Sequence, residues 1–308
     1  MAAAREEIEV EVGGRLLSLS NLGKVLYPKA GFTKGEVIDY YTRIAPVLLP
    51  HLEDRPLTLK RYPDGVDGFY FYEKNCPAHR PGWIETASFQ RRDRSSSGKA
   101  EAIEYCVMSS LPALVWAVNL ADLELHVPLA RVGDIANPRS LVFDLDPGPP
   151  AGLKECCEVA LILRELFEGM KLESFPKVSG SKGLQLYVPL NTKNVTYEDT
   201  KPFAKAIAEA LETEYPKIVV SKMKKSLRPG KVLVDWSQND QSKTTVCVYS
   251  LRAKDYPTVS MPVTWKEVEK KDPAKLVFVS DDALARVKKK GDLFEPVLSL
   301  VQHLPRGN

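Results

Sequence analysis

The chain has 308 residues, 44% of them apolar and 27% charged, with a formal net charge of +3. This composition disfavours an intrinsically disordered chain, a collagen-like fibre and a coiled coil, and it supplies material for one large core or two modest ones. A net charge so small does not establish a nucleic-acid partner, so the local placement of the basic residues must decide that question.

The N-terminus, MAAAREEIEVEV, is acidic and has no apolar core of a signal peptide, and no apolar run approaches the ~20 residues of a membrane span. Five cysteines (Cys76, Cys106, Cys156, Cys157 and Cys247) are odd in number and show no framework spacing, which predicts reduced thiols in a cytoplasmic setting. Cys76 and His79 form a Cys-x-x-His pair without a second pair at zinc-finger spacing, so a structural zinc is not expected.

Taken in chain order, Thr33 and Glu36 form a capping box, followed by Val37, Ile38, Tyr41, Ala45 and Leu48 at helical spacing. RPLTLKRYPDG (55–65) and GFYFYEK (68–74) read as strands joined through a turn at Pro63, Asp64 and Gly65. Alternate members of Phe69, Tyr70, Phe71 and Tyr72 must face outward, where exposed rings can stack on bases. QRRDRSSSGKAEA (90–102) is polar, basic and serine-rich, and reads as a solvated loop or as an arm that touches phosphates. A helix is expected over 111–122, capped by Ser109 or Ser110. LELHVP (123–128), carrying His126, and LVFDLD (141–146) read as strands. A helix over 153–170 gathers Val159, Ile162, Leu163 and Leu166 on one face. FPKVSGSKGLQLYVPL (175–190) is two short strands around a Gly-Ser turn, and a helix follows over 198–214. KVLVDW (231–236) and KTTVCVYSL (243–251) read as strands. Short helices near 263–270 and 280–290 close the chain. No internal repeat or low-complexity linker is present. Helices and strands mix without strict alternation, which predicts an α+β fold around a mixed or antiparallel sheet.

In LVFDLDPGPP (141–150), a strand carries Asp144 and Asp146 two residues apart, hence on one face, and stops at Pro147 and Gly148. Two such carboxylates repel one another unless a cation sits between them, and hard oxygen donors suit Mg²⁺ or Mn²⁺. KVLVDWSQN repeats the pattern with Asp235 at a strand end. Three carboxylates in one place suit phosphoryl transfer. VSGSKG (178–183) offers backbone N–H groups, Ser179 and Ser181 hydroxyls and Lys182 to a triphosphate, although an ordinary hairpin turn explains it equally well. SKMKKSLRPGKV places Lys222, Lys224, Lys225, Arg228 and Lys231 directly before Asp235.

In order, LSNLGKVLYP, TKGEVIDYY, RPLTLKRYPDGVDG, FYEKN, LELHVP, LVFDLDPG, SGSKGLQLY, KSLRPGKVLVDWSQN, KTT, YSLR and GDLF resemble the primase-polymerase domain of ligase D, the end-joining branch of the archaeo-eukaryotic primase superfamily. The resemblance covers nearly the whole chain from about residue 17, so residues 1–16 are expected to be an extension and 17–308 a single domain. It implies two modules around an active-site cleft, with the catalytic site on an RRM-like sheet. By resemblance, Asp144, Asp146 and Asp235 are the catalytic metal ligands for two Mn²⁺ or Mg²⁺ ions. His126, Ser179, Lys182, Arg228, Gln238 and Arg252 hold the incoming NTP or dNTP. Asn21, Lys24 and Lys34 receive a DNA 5′-phosphate, Phe71 and Tyr72 contact template bases, and 90–102 is a loop that brings DNA ends together. Many relatives carry His where this chain has Gln185, which can donate a hydrogen bond but carries no proton charge. The implied function is template-dependent nucleotide addition at gaps and ends during non-homologous end joining, with a preference for ribonucleotides. The implied partners are a Ku-like protein and an ATP-dependent DNA ligase. A stand-alone primase, a non-catalytic DNA-end bridging module and an unrelated Asp-x-Asp enzyme are the competing readings.

Overall fold

The computed structural model describes residues 7–90 and 102–305. Two six-stranded sheets organise these residues. In the first, the strands run in the order Val219–Val220, Val232–Asp235, Ser140–Pro147, Leu184–Pro189, Phe175–Val178 and Met261–Pro262. All its pairings are antiparallel except that of Val219–Val220 with Val232–Asp235. In the second, the order is Thr245–Val246, Asp122–Val127, Pro56–Arg61, Ala102–Val107 and Thr86–Gln90, with Phe71–Glu73 also paired to Pro56–Arg61. The mixed α+β architecture expected from the sequence is the one observed.

The period-2 pattern of Ser140–Pro147 explains how the first sheet is covered. Leu141, Phe143 and Leu145 are fully buried on one face, where Phe143 meets Phe167 of the helix Leu153–Gly169 at 5.6 Å between ring centroids. Asp144 and Asp146 alternate with them and therefore face the other way. That second face meets the second sheet: Tyr187 exchanges a 2.8 Å hydrogen bond with Thr245, and the Lys177 ammonium donates to the Val246 carbonyl at 3.2 Å. The two sheets thus close on one another at Thr245–Val246, and the acidic residues lie at the mouth of that junction.

The helix Lys34–Leu52 starts as read, with Thr33 as N-cap and both halves of the capping box with Glu36 formed. Its apolar face is buried, and its Tyr40 and Tyr41 hydroxyls donate to the Tyr249 and Leu123 carbonyls. The helix expected over 111–122 ends at Asn119, because Ala121 takes a left-handed conformation (φ 60°) and Asp122 already opens the next strand. Its N-cap is Ser110, while Ser109 instead donates to Glu85. The aromatic stretch 68–74 is a strand only over Phe71–Glu73, and 243–251 is broken into Thr245–Val246 and the start of a second strand, Leu251–Ala253, since Tyr249 (φ 64°) turns the chain between them.

Two features went unread. Glu7–Val12 and Arg15–Ser20 form an antiparallel hairpin, so the expected boundary at residue 17 falls inside a paired element. Cys76 and Cys106 form a disulfide, against the expectation of five reduced thiols. The segment after Phe71–Glu73 lies across Ala102–Val107, where the Cys76 N–H donates to the Glu104 carbonyl at 2.6 Å, a proximity that sequence spacing does not encode. Cys156, Cys157 and Cys247 are free and buried. Among the described residues, no helix is long and apolar enough to cross a membrane.

Candidate active site

Backbone register aligns the acidic residues. Asp144 lies directly opposite Asp235 on one neighbouring strand and Gln185 on the other, and Gln185 lies opposite Lys177 on the strand beyond. Residues paired this way share a face. The row Asp235, Asp144, Gln185 and Lys177 therefore crosses four strands on the side of the second sheet, with Asp146 one pleat further on. Asp144 and Asp146 line a cavity of about 420 Å³ together with Tyr72, His126, Ser179, Lys182, Gln185, Gln238 and Arg252.

Burial, followed by the charges of Asp146 and Asp235, pushes the Asp144 carboxyl well above the usual carboxylate range, while Lys177 and a hydrogen bond from Gln185 oppose the shift. Burial and Asp235 raise Asp146, against Arg228, Arg252 and Lys182. Carboxylates held together at this cost are hard oxygens with adverse mutual charge on one wall of a polar cavity, the donor type that a divalent cation takes. Among the described residues, no three acidic, histidine or cysteine side chains yet surround a common point. Asp235 is turned toward its own chain, accepting from the Ser237 N–H at 2.8 Å and from the Gln238 amide at 3.4 Å. Asp144 and Asp146 line the cavity and Asp235 does not, so the two carboxylates of one strand are the hard oxygen donors that this wall presents.

Glycines bring the other walls close. A Cβ on Gly183 would lie 2.1 Å from the Leu145 carbonyl oxygen, so only glycine lets the Gly-Ser turn lie against the Asp144–Asp146 strand. The Ser179 hydroxyl accepts from the Ser181 and Gly183 N–H groups, and Arg252 donates to the Ser179 carbonyl at 2.5 Å. A Cβ on Gly148 would lie 2.1 Å from the Arg228 carbonyl oxygen. The Pro-Gly that ends the acidic strand is thus where the backbone of Arg228–Lys231 packs against it, with the Gly148 N–H donating to the Lys231 carbonyl and the Gly230 N–H donating to the Gly148 carbonyl.

His126, Ser179, Lys182, Gln238 and Arg252 all reach this cavity. Arg228 is not among its lining residues; its guanidinium donates to the Met223 carbonyl at 2.7 Å, although its charge is felt at Asp146. The expected phosphate residues come together through the backbone. The Lys24 N–H donates to the Asn21 carbonyl, and the Lys34 N–H donates to the Lys24 carbonyl, at the start of the helix Lys34–Leu52. Lys34 is buried and its ammonium donates to the Ser20 carbonyl at 2.5 Å. The Lys24 ammonium donates to the Pro63 carbonyl at 2.6 Å and pairs with Asp64 at 3.2 Å.

Phe71 and Tyr72 do not form one platform. As neighbours on a strand they point to opposite sides: Phe71 stacks on Phe69 and lies under the Arg61 guanidinium, while Tyr72 sits edge-on to His126 at 5.8 Å. The loop read over 90–102 lies, apart from its two ends, outside the described residues.

Sequence reasoning passed over Lys177 and Glu124. Lys177 is fully buried at the sheet junction, where burial lowers its ammonium to about 7 and Ser260 accepts from it at 2.7 Å. Glu124 precedes His126 by two residues, and that same-face spacing was available as a signal.

The family profile "LigD, primase-polymerase domain" matches residues 33–294. The chain belongs to the LigD primase-polymerase family. It is 42% identical over 281 residues to the multifunctional non-homologous end joining protein LigD of Mycolicibacterium smegmatis, covering 91% of this chain and 36% of that protein. It is 33% identical to the bifunctional non-homologous end joining protein LigD of Bacillus subtilis, covering 89% of this chain and 43% of that protein. The chain therefore spans well under half of these relatives. The polymerase domain of Mycobacterium tuberculosis ligase D, solved in complex with DNA, superposes with a TM-score of 0.84 at 41% identity, over 93% of this chain and 99% of that one. The LigD fold is thus that of a nucleotidyltransferase, and its two-sheet architecture is the one described above.

Proposed function

We propose that this LigD domain adds nucleotides, preferentially ribonucleotides, to primer 3′ ends at gaps and breaks that carry a downstream 5′-phosphate, within non-homologous end joining. The observation that carries the reading is the register: Asp144 and Asp146 on one strand, with Asp235 directly across from Asp144, at a cavity lined by Lys182, Arg252, Ser179 and His126. Asp144, Asp146 and Asp235 would hold divalent cations, Mn²⁺ or Mg²⁺, two per site by family analogy. Bound there, such ions supply positive charge that acidifies the primer 3′-hydroxyl and neutralises the triphosphate. The chain's own groups do the rest. Lys182 and Arg252 offset charge on the phosphates, the Gly-Ser turn orients them, and His126 and Gln238 bound the nucleotide on the remaining sides. Arg228 joins them once released from the Met223 carbonyl. The 3′-oxygen attacks the α-phosphorus in line and pyrophosphate leaves. Asn21, Lys24 and Lys34 take the 5′-phosphate and set register without reading sequence. Tyr72, half exposed beside the cavity, takes a template base, with Phe71 contributing from the other side of its strand. A Ku-like protein and an ATP-dependent ligase complete the repair reaction, in the cytoplasm.

The test is primer extension on a gapped duplex with and without the downstream 5′-phosphate, with Mn²⁺ and either ribo- or deoxynucleotides. Metal-dependent filling that improves with the phosphate and favours ribonucleotides supports the reading. Synthesis without any primer would favour a primase, and phosphate-dependent binding without extension would favour a bridging module.

A further inference from the structure

Glu124 is 1% exposed, yet it gathers the groups that face the nucleotide cavity. Its Oε2 lies 3.0 Å from His126 Nε2, 3.1 Å from the Lys60 ammonium and 3.3 Å from Arg252 Nε. Its Oε1 accepts from the Ala253 backbone N–H at 3.0 Å and from the Tyr62 hydroxyl at 3.4 Å. Burial alone would raise the pKa of this carboxyl, but the His126 hydrogen bond and the charge of Arg252 hold it well below the usual range. Glu124 does not itself line the cavity, whereas His126 and Arg252 do.

Each partner passes the constraint outward. Arg252, ion-paired with Glu124 through Nε without a hydrogen bond at that atom, donates from its far end to the Ser179 carbonyl and so links the Gly-Ser turn to Glu124 by charge. His126, held at Nε2 by Glu124, meets Tyr72 in the T-shaped contact described above. The Lys60 ammonium lies 5.0 to 5.5 Å from the ring centroids of Tyr62, Tyr70 and Tyr72, within cation–π range of all three. One buried carboxylate therefore meets the turn on one side of the cavity, the histidine on another and the aromatic wall on a third. A buried charge with this many partners fixes their geometry, and removing it leaves them without compensation and costs stability as well.

We infer that Glu124 is a positioning residue of the nucleotide cavity, fixing the His126 ring, the Arg252 guanidinium and, through Lys60, the tyrosine wall, without touching the nucleotide. The inference rests on the nucleotide-binding reading of that cavity.

The experiment measures nucleoside triphosphate binding by isothermal titration to the full chain, alongside KM and kcat for primer extension. Glu124→Gln keeps an acceptor for the Ala253 N–H but removes the charge. It is expected to weaken binding and raise KM about tenfold or more while kcat changes far less. Glu124→Asp, which keeps the charge, is expected to fall between the two and serves if the glutamine variant does not fold. In a His126→Ala, Arg252→Ala background, Glu124→Gln should weaken binding by a clearly smaller factor than it does in the wild type, because two of its three targets are gone and only the Lys60 path to the tyrosine wall remains. Unchanged affinity in both folded Glu124 variants, or full additivity with the double variant, overturns the inference. Wild-type protein that binds nucleotide but never extends a primer, with binding still weakened in Glu124→Gln, leaves the inference standing and removes the polymerase reading. Wild-type protein that binds no nucleotide overturns both.

Discussion

Asp144 faces Asp235 across adjacent antiparallel strands, so two carboxylates far apart in sequence are brought to the same face by backbone pairing alone. Asp144→Ala and Asp146→Ala are each expected to cut nucleotide addition by about a thousandfold or more while leaving binding to 5′-phosphorylated DNA nearly unchanged. Mn²⁺ should raise the unfolding midpoint of the wild type and do so much less in Asp144→Ala, because a ligand stabilises only the folded state that binds it. Extension assays, DNA-binding isotherms and thermal melts with and without metal check the three statements together.

The Lys24 ammonium rests against Asp64, in a pair whose side chains are 42% and 69% exposed. An arriving phosphate must compete with Asp64. Exposed pairs contribute about 0.2–1 kcal/mol, so Asp64→Ala should tighten binding to 5′-phosphorylated gapped DNA by at most about fivefold. Lys24→Ala should weaken it. Neither variant should alter affinity for the unphosphorylated duplex, which fluorescence anisotropy reads directly.

Gly183 has no room for a side chain against the Leu145 carbonyl. Gly183→Ala must push the Gly-Ser turn away from the acidic strand, at an expected cost of about 3 kcal/mol or more in stability, together with loss of extension. Urea unfolding of the purified variant measures the first effect.

Asp122 is fully buried; burial raises its carboxyl well above the ordinary aspartate range, against a hydrogen bond from the Lys60 N–H and the charge of Arg61. A carboxyl raised in the folded state keeps a proton that the unfolded chain releases. Its contribution to stability is therefore present on the acid side and is lost as pH rises from the ordinary aspartate range through the folded value. Asp122→Asn keeps a carbonyl acceptor for Lys60 and cannot ionise. Its urea midpoint should decline less than that of the wild type as pH rises from about 4.

What could be read from the sequence was local. The spacing of Asp144 and Asp146, the capping box at Thr33 and Glu36, and the two strands around Ser179–Gly183 follow from periodicities of two or 3.6 residues, and each is present. What could not be read depends on pairing between distant segments. The Asp144–Asp235 register, the Cys76–Cys106 disulfide and the Lys177 contact between sheets join residues that no short window contains together. Phe71 and Tyr72 show the converse. Family resemblance treats them as a pair, whereas strand alternation sends them to opposite sides. Glu124 was within reach of the same period-2 argument, but its three-way pairing to Lys60, His126 and Arg252 comes from two further parts of the chain.

The disulfide also has a consequence for limited proteolysis. Cys76 and Cys106 enclose a covalent ring with a sequence separation of 30, which contains the edge strand Thr86–Gln90. A single cut inside that ring opens the chain but releases nothing. The nicked protein should migrate as one band on a non-reducing gel and separate into two fragments only after a thiol reductant is added. A cut outside the ring separates the fragments on either gel, so a pair of lanes maps each cleavage to one side of Cys76–Cys106 or the other.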